Sequence, residues 1–260
     1  MGFISEIRSI DIVIRDEQGL RQLNAGPRGR IARDWSRQPF GSVAQAFDFP
    51  LIPRNEWQAR IEEMEKTRSR LSDLILQAGN PNKNQGNTNY CWVNAVVRAM
   101  EIVRLMNGLP YVALSPASVG GPIKNYRNQG GWGGEALDYI IEHGVANCDT
   151  WPANAIDRQY DNEASRANRL LHTFKEWTDV ASRDFDQKMT LLFNRIPVPC
   201  GYNHMGHEMC SVDPVYLGGD DFGARDENSW GDTQRWIVFG EEKATPDDAV
   251  APRVPTASLI

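Results

Sequence analysis

The chain has 260 residues, 41% of them hydrophobic and 24% charged, with a formal net charge of −6 at pH 7. That length and balance allow a substantial buried core in one or two domains. The acidic balance speaks against nucleic acid as the main partner, and no apolar run is long enough for a membrane span. Residues 1–16 are broken by Glu6, Arg8, Asp11 and Arg15 where a signal peptide needs an unbroken apolar core. Glu6 also stands where a myristoylation motif after Gly2 requires Ser or Thr.

In chain order, residues 10–14 read as a short strand. Residues 24–54, rich in Gly, Pro and Arg, read as an extended arm, with Arg21, Arg28, Arg30, Arg33 and Arg37 as a solvated basic stretch. Ile61, Met64, Leu71, Leu74 and Ile75 recur with helical spacing and predict one amphipathic helix over 57–77. A loop over 79–89 then delivers Cys91 to a helix-like run at 93–105. Ala136, Leu137, Ile140 and Ile141 predict a helix over 133–143 capped by Gly144, and a further helix is expected over 164–177. Beyond Ile196 the pattern turns to short strands at 198–202, 207–217, 223–228 and 236–239. Helices first and strands later imply an α+β protein of two lobes with a cleft between them. The proline-rich residues 241–260 read as a surface tail.

Three short motifs carry chemistry. Cys91 follows Asn84-Gln85-Gly86-Asn87-Thr88-Asn89-Tyr90 and opens a helix, where the helix dipole favours a thiolate nucleophile. His207, in Gly206-His207-Glu208-Met209, starts an alternating stretch and offers a base. His204 competes for that role from the preceding turn, and the strand position favours His207. Asn228, in Asn228-Ser229-Trp230-Gly231, could orient the imidazole.

The order Cys, His, Asn resembles the papain-like cysteine peptidases, over roughly residues 71–239. The resemblance implies a helical N-terminal lobe, an antiparallel β-rich C-terminal lobe and the active-site cleft between them. It makes Cys91 the nucleophile, Gln85 (six residues earlier) an oxyanion donor, His207 the base, Asn228 its orienter and Trp230 the indole shielding that pair. Gly130-Gly131-Trp132-Gly133-Gly134 is similar to the family's Gly-Cys-Asn-Gly-Gly, which makes Gly133 and Gly134, with Trp132, the place where substrate backbone lies close. Glu135 and Glu208 fall where the family shapes its second specificity pocket, suiting a substrate Arg or Lys; the alternative has Glu135 opening a helix and Glu208 in water. The family's usual disulfide pairs positions that here are Thr88 and Gly131, so both halves are absent. With Cys91 set aside three cysteines remain, which fits a reducing, cytoplasmic location.

The division implied is an N-terminal extension at 1–65, a catalytic domain at 66–240 and the tail at 241–260. The family's proenzymes carry a segment through the cleft, so the arm has two readings: an inhibitory segment, or a structural strap. The chemistry is peptide-bond hydrolysis through a thioester on a polypeptide substrate, with no cofactor and no metal. Acyl transfer or deamidation uses the same residues, and a non-catalytic binding module is a further alternative. Cys200, His204, His207 and Cys210 are adequate in type for a structural zinc site, but such a site would sequester His207. Phe49-Pro50-Leu51-Ile52-Pro53-Arg54 and Val250-Ala251-Pro252-Arg253-Val254 also resemble a branch of these proteins from bacteria and their phages, which would make a virion-associated location compatible.

Overall fold

A computed structural model describes residues 3–23, 26, 28–34 and 44–253. Arg37 of the basic stretch and residues 254–260 of the expected tail lie outside them. The chain begins with β1 (Asp11–Ile14), α1 (Glu17–Gln22), β2 (Ala44–Gln45), α2 (Arg54–Lys66) and α3 (Leu71–Gln77). It continues with α4 (Cys91–Met106), α5 (Ala117–Ile123), α6 (Gly133–His143), α7 (Glu163–Arg169), β3 (Glu176–Val180) and α8 (Phe185–Phe193). Then come β4 (Val198–Tyr202), β5 (His207–Gly218), β6 (Asp221–Glu227), β7 (Trp236–Gly240), α9 (Glu241–Ala244) and β8 (Asp248–Arg253). The architecture is the two-lobed α+β fold expected from the sequence.

The α4 helix is the axis of the molecule because it is buried on every side from Cys91 to Arg104. Val93, Val96, Val97 and Met100 pack against Leu137 and Ile140 of α6. Ala95, Ala99 and Ile102 pack instead against Leu71 and Ile75 of α3 and Cys210 and Val212 of β5. One helix therefore joins helical lobe to sheet, and its first residue emerges at their boundary.

The strands form one sheet in the order β1-β7-β6-β5-β4-β8-β3-β2. The pairs β1–β7 and β2–β3 are parallel and the others antiparallel. The N-terminal strand is tied down by the Arg225 guanidinium, which donates to Asp11 and Asp213 carboxylates and to the Glu6 carbonyl. Residues 3–23 are thus built into the sheet.

Three expectations need correction. The helix over 57–77 is two helices: the Thr67 hydroxyl bonds the Glu63 carbonyl at 2.7 Å and Arg68 turns left-handed at φ 55°, ending α2. The helix over 164–177 stops at Arg169, and Trp177 lies in β3, paired with Pro252. Of the expected tail, Glu241–Ala244 form α9 and Asp248–Arg253 form strand β8 between β4 and β3. Pro252 is tolerated there because β4 pairs only with Asp248 and Ala249, leaving the proline paired on one side alone.

Candidate active site

Cys91 opens α4 without a side-chain cap from Tyr90; the Val93 and Asn94 amides bond the Tyr90 carbonyl, and the Trp92 N–H faces the sulfur. The amide of Glu208, next to His207, faces it from β5, and the amide of Gly29 from the N-terminal arm. His207 and Asn228 come from the paired strands β5 and β6 and the turn after β6. The His207 Nε2 lies 2.8 Å from Asn228 Oδ1. That oxygen also accepts the Ser229 N–H at 2.7 Å, which fixes the amide's orientation. Because Oδ1 only accepts, Nε2 carries the proton and Nδ1 holds a lone pair. Nδ1 is buried without a hydrogen-bond partner among the described residues. The Trp230 ring lies over the imidazole, centroids 4.4 Å apart.

Gln85 is locked in place. Its Oε1 accepts from the Ser229 hydroxyl at 2.6 Å, its Nε2 donates to the Thr88 carbonyl at 2.7 Å, and its backbone N–H donates to the Ser229 carbonyl at 2.9 Å. The loop before Cys91 and the turn holding Asn228 are therefore one hydrogen-bonded unit. His204, the rival base, lies elsewhere, its ring against Tyr202 and Phe239. Cys200 and Cys210 belong to different core clusters, and all four cysteines are free. Among the described residues no cluster of His, Cys, Asp or Glu could hold a metal ion.

The cleft is covered by its own chain. The Gly29 carbonyl accepts from Gly131 N–H at 2.9 Å and the Gly131 carbonyl accepts from Ile31 N–H at 2.8 Å, a parallel bridge. There is no room for a side chain at Gly29, where a Cβ would land on the Asn89 carbonyl, and a Cβ at Gly26 would strike Trp230. Above the site the described residues form a shallow groove of about 330 Å³, lined by Arg28, Gly29, Arg30 and Gly130 among others. Burial accordingly rules the ionisation. It pushes the Cys91 thiol up to about 12, aided by the Glu208 carboxylate. Burial likewise holds the His207 imidazole down at about 4, with only partial relief from Asn228. Under this cover thiol and imidazole are both neutral between those values.

The arm's bonds fall on the earlier of the two glycine pairs. The arm pairs with Gly131 and passes against Gly130, whereas Gly133 and Gly134 open α6, their Cβ positions taken by the Glu208 carboxylate and the Trp132 ring. Trp132 is itself buried, beneath the Arg33 guanidinium at 4.4 Å. Asn128 stands beside the loop that carries Thr88. Its side chain accepts from Asn89 N–H at 2.6 Å and donates to the Asn87 carbonyl at 3.0 Å, stapling the two loops non-covalently. The basic stretch is solvated only in part: Arg21 and Arg28 are exposed, whereas Arg30 pairs with Asp248 at 2.9 Å and Arg33 with Asp179 at 2.8 Å, both guanidinium groups buried. Glu135 pairs with Lys124 at 2.5 Å and Glu208 is buried beside Asp248. Composition hinted at none of these partners, because Asp248 sits in the segment read as a tail.

The sequence matches the model of the papain family of cysteine proteases over residues 76–213, just over half of the chain. Procathepsin L 3 from the larval midgut of Tenebrio molitor is structurally similar, with a TM-score of 0.63 at 16% identity over 82% of this chain and 74% of that one. A Carica candamarcensis cysteine protease solved with E-64 gives 0.57 at 19% identity, over 69% of this chain and 96% of that one. Xylellain, a cysteine protease from Xylella fastidiosa, gives 0.55 at 15% identity, over 67% and 83%. The chain belongs to the papain family of cysteine proteases. It is a hydrolase of the class that acts on polypeptides.

Proposed function

We propose that the protein is a cysteine endopeptidase using Cys91, His207, Asn228 and Gln85, and that residues 28–33 hold it silent. One observation carries the assignment: Asn228 Oδ1 at 2.8 Å from His207 Nε2 leaves the buried Nδ1 as the basic atom. In the open enzyme the Cys91 proton passes to Nδ1, and the sulfur attacks the scissile carbonyl carbon. The oxyanion is stabilised by the Cys91 N–H and the Gln85 amide, each worth roughly 3 kcal/mol. His207 returns the proton to the leaving amine, and water, deprotonated by the same nitrogen, cleaves the thioester to acid and free thiol. The indole of Trp230 over the imidazole excludes water from the His207–Asn228 bond.

The covering segment survives because of what it presents to the sulfur. Gly29 offers the sulfur its N–H, while its carbonyl is bonded to the Gly131 N–H. A similar structure is by its name a proform, which fits a chain carrying its own cover. On this reading the arm divides in two, with residues 3–23 a structural strap and 28–33 the inhibitory part.

The test is peptide hydrolysis and epoxide labelling in a full-length chain whose cover is displaced by Gly29→Ala. There Cys91→Ala and His207→Ala should abolish turnover, and His204→Ala should leave it within about threefold. Loss of activity in His204→Ala with retention in His207→Ala would refute the assignment.

A further inference from the structure

The C-terminal end of α4 borders a second cavity, far from the cleft. Its volume is about 430 Å³, within the range of small-molecule sites, and its walls come from α4, β3, β8 and the turn after α8. Met106, in the lining, ends the 16-residue helix that Cys91 begins, which sets the two on the order of 20 Å apart. Val103, Met106, Leu191 and Ile196, with Phe49 and Ala251, make most of the lining apolar. One cation in it stands without an acid. Arg253 is shared between Asp48 at 3.1 Å and Glu176 at 3.5 Å. Arg195 makes no ion pair among the described residues, and its Nε is buried without a hydrogen-bond partner there. Arg195 holds the left-handed position that closes α8, at φ 59°, with its N–H on the Leu192 carbonyl and the Ile196 N–H on the Leu191 carbonyl, both at 2.9 Å. Those backbone bonds finish the helix at a place that usually takes glycine, so the guanidinium is not the cap and lines the cavity instead. The hydroxyl of Thr178, also in the lining, is likewise buried without a partner among the described residues. Both are donors lacking acceptors beside an apolar space.

We infer that this cavity binds a small aliphatic carboxylic acid as its carboxylate, with the alkyl chain against Val103, Leu191 and Ile196 and the carboxylate on the Arg195 guanidinium. A carboxylate supplies acceptors and asks for no donor, and it can take two parallel N–H bonds from a guanidinium. Burying the chain removes hydrocarbon from water, while the half-buried Arg195 keeps the charge near solvent. A peptide fits worse. Glu176 and Thr178 of β3 pair with Arg253 and Ala251 of β8, so the strand backbone of the lining is already paired and would leave a peptide's amides unmatched between apolar walls. An alkylammonium would be repelled by Arg195. Occupancy of this cavity is independent of the chemistry of Cys91, so it is tested by binding and not by turnover.

Full-length protein is titrated with octanoate while its thermal midpoint is followed. The midpoint should rise by about 2 °C or more at saturation, and octylammonium at the same concentrations should give no rise. Arg195→Gln should cut the octanoate rise by about half or more, since it removes the charge and keeps the chain's wall. Ile196→Trp, which fills the cavity with an indole, should abolish the rise, and it decides alone if Arg195→Gln does not fold. Acetyl-Ala-Ala-Leu with a free carboxylate should stabilise less than octanoate. No rise with octanoate, an equal rise with octylammonium, a rise that either substitution leaves intact, or greater stabilisation by the peptide would overturn the site.

Discussion

The two halves of the N-terminal arm are held by different physics. Residues 3–23 enter the sheet through four paired positions of β1 on β7, and Arg225 is clamped between Asp11 and Asp213 with almost no exposure. The contacts of residues 28–34 with the body include one bridge to Gly131, an Arg30 N–H to the Gly206 carbonyl at 3.3 Å, the Arg33 guanidinium over Trp132, and the ion pairs of Arg30 and Arg33. Ile31, in the middle, remains 55% exposed. A ladder closed on a core is lost only with the fold. A bridge and ion pairs can be exchanged for those of another chain, so on the proposed reading the first stretch is architecture and the second a removable occupant.

The largest effect should come from breaking the strap. Arg225→Ala leaves Asp11 and Asp213 buried without their cation and should cost about 3–5 kcal/mol in chemical denaturation. A cost under 1 kcal/mol would mean that the strap is as detachable as the cover. Gln85→Ala comes next and should act twice. It removes an oxyanion donor, lowering kcat by roughly 10²-fold in an uncovered enzyme. It also cuts the bonds to Ser229 and Thr88, costing about 2 kcal/mol of stability. An unchanged midpoint would show that the loop before Cys91 is positioned by other groups. The smallest effect belongs to Asn128→Ala, which removes an exposed staple between the loops at 87–89 and 127–131 and should cost about 1 kcal/mol. Faster labelling of Cys91 in that variant would show that the cover depends on the staple too.

The proposed reacting groups could be singled out because each sits in a short local motif. Cys91 heads a helix that its own apolar pattern predicts, and Asn228 and His207 lie where strands begin and end. The cover was not, because what fixes it is remote: Arg30 finds Asp248 across 218 positions and Arg33 finds Asp179 across 146. A run of arginines with no visible partner reads as solvated, and the partner lay in a proline-bearing stretch that reads as a tail until β3 and β4 are seen to flank it. The glycine register was ambiguous for a simpler reason. Gly130-Gly131 and Gly133-Gly134 are identical pairs, and only the Gly29 carbonyl tells them apart. Trp177 was drawn into a helix because the strand that pairs with it is β8, itself unread.

The most direct test of the cover is the rate at which iodoacetamide alkylates Cys91, followed against pH in the wild type and in full-length Gly29→Ala. In the covered protein the thiol ionises only as pH rises through about 12, and the imidazole is charged only below about 4. Between those limits both are neutral, and alkylation should be slow without a plateau. Gly29→Ala puts a methyl group onto the Asn89 carbonyl and should expel the segment, readmitting water to both groups. The thiolate–imidazolium pair then forms, and the rate near pH 6.5 should rise about 10²-fold and hold a plateau across neutral pH. Equal rates and equal pH profiles in the two proteins, with Gly29→Ala folded, would contradict a cleft silenced by residues 28–33.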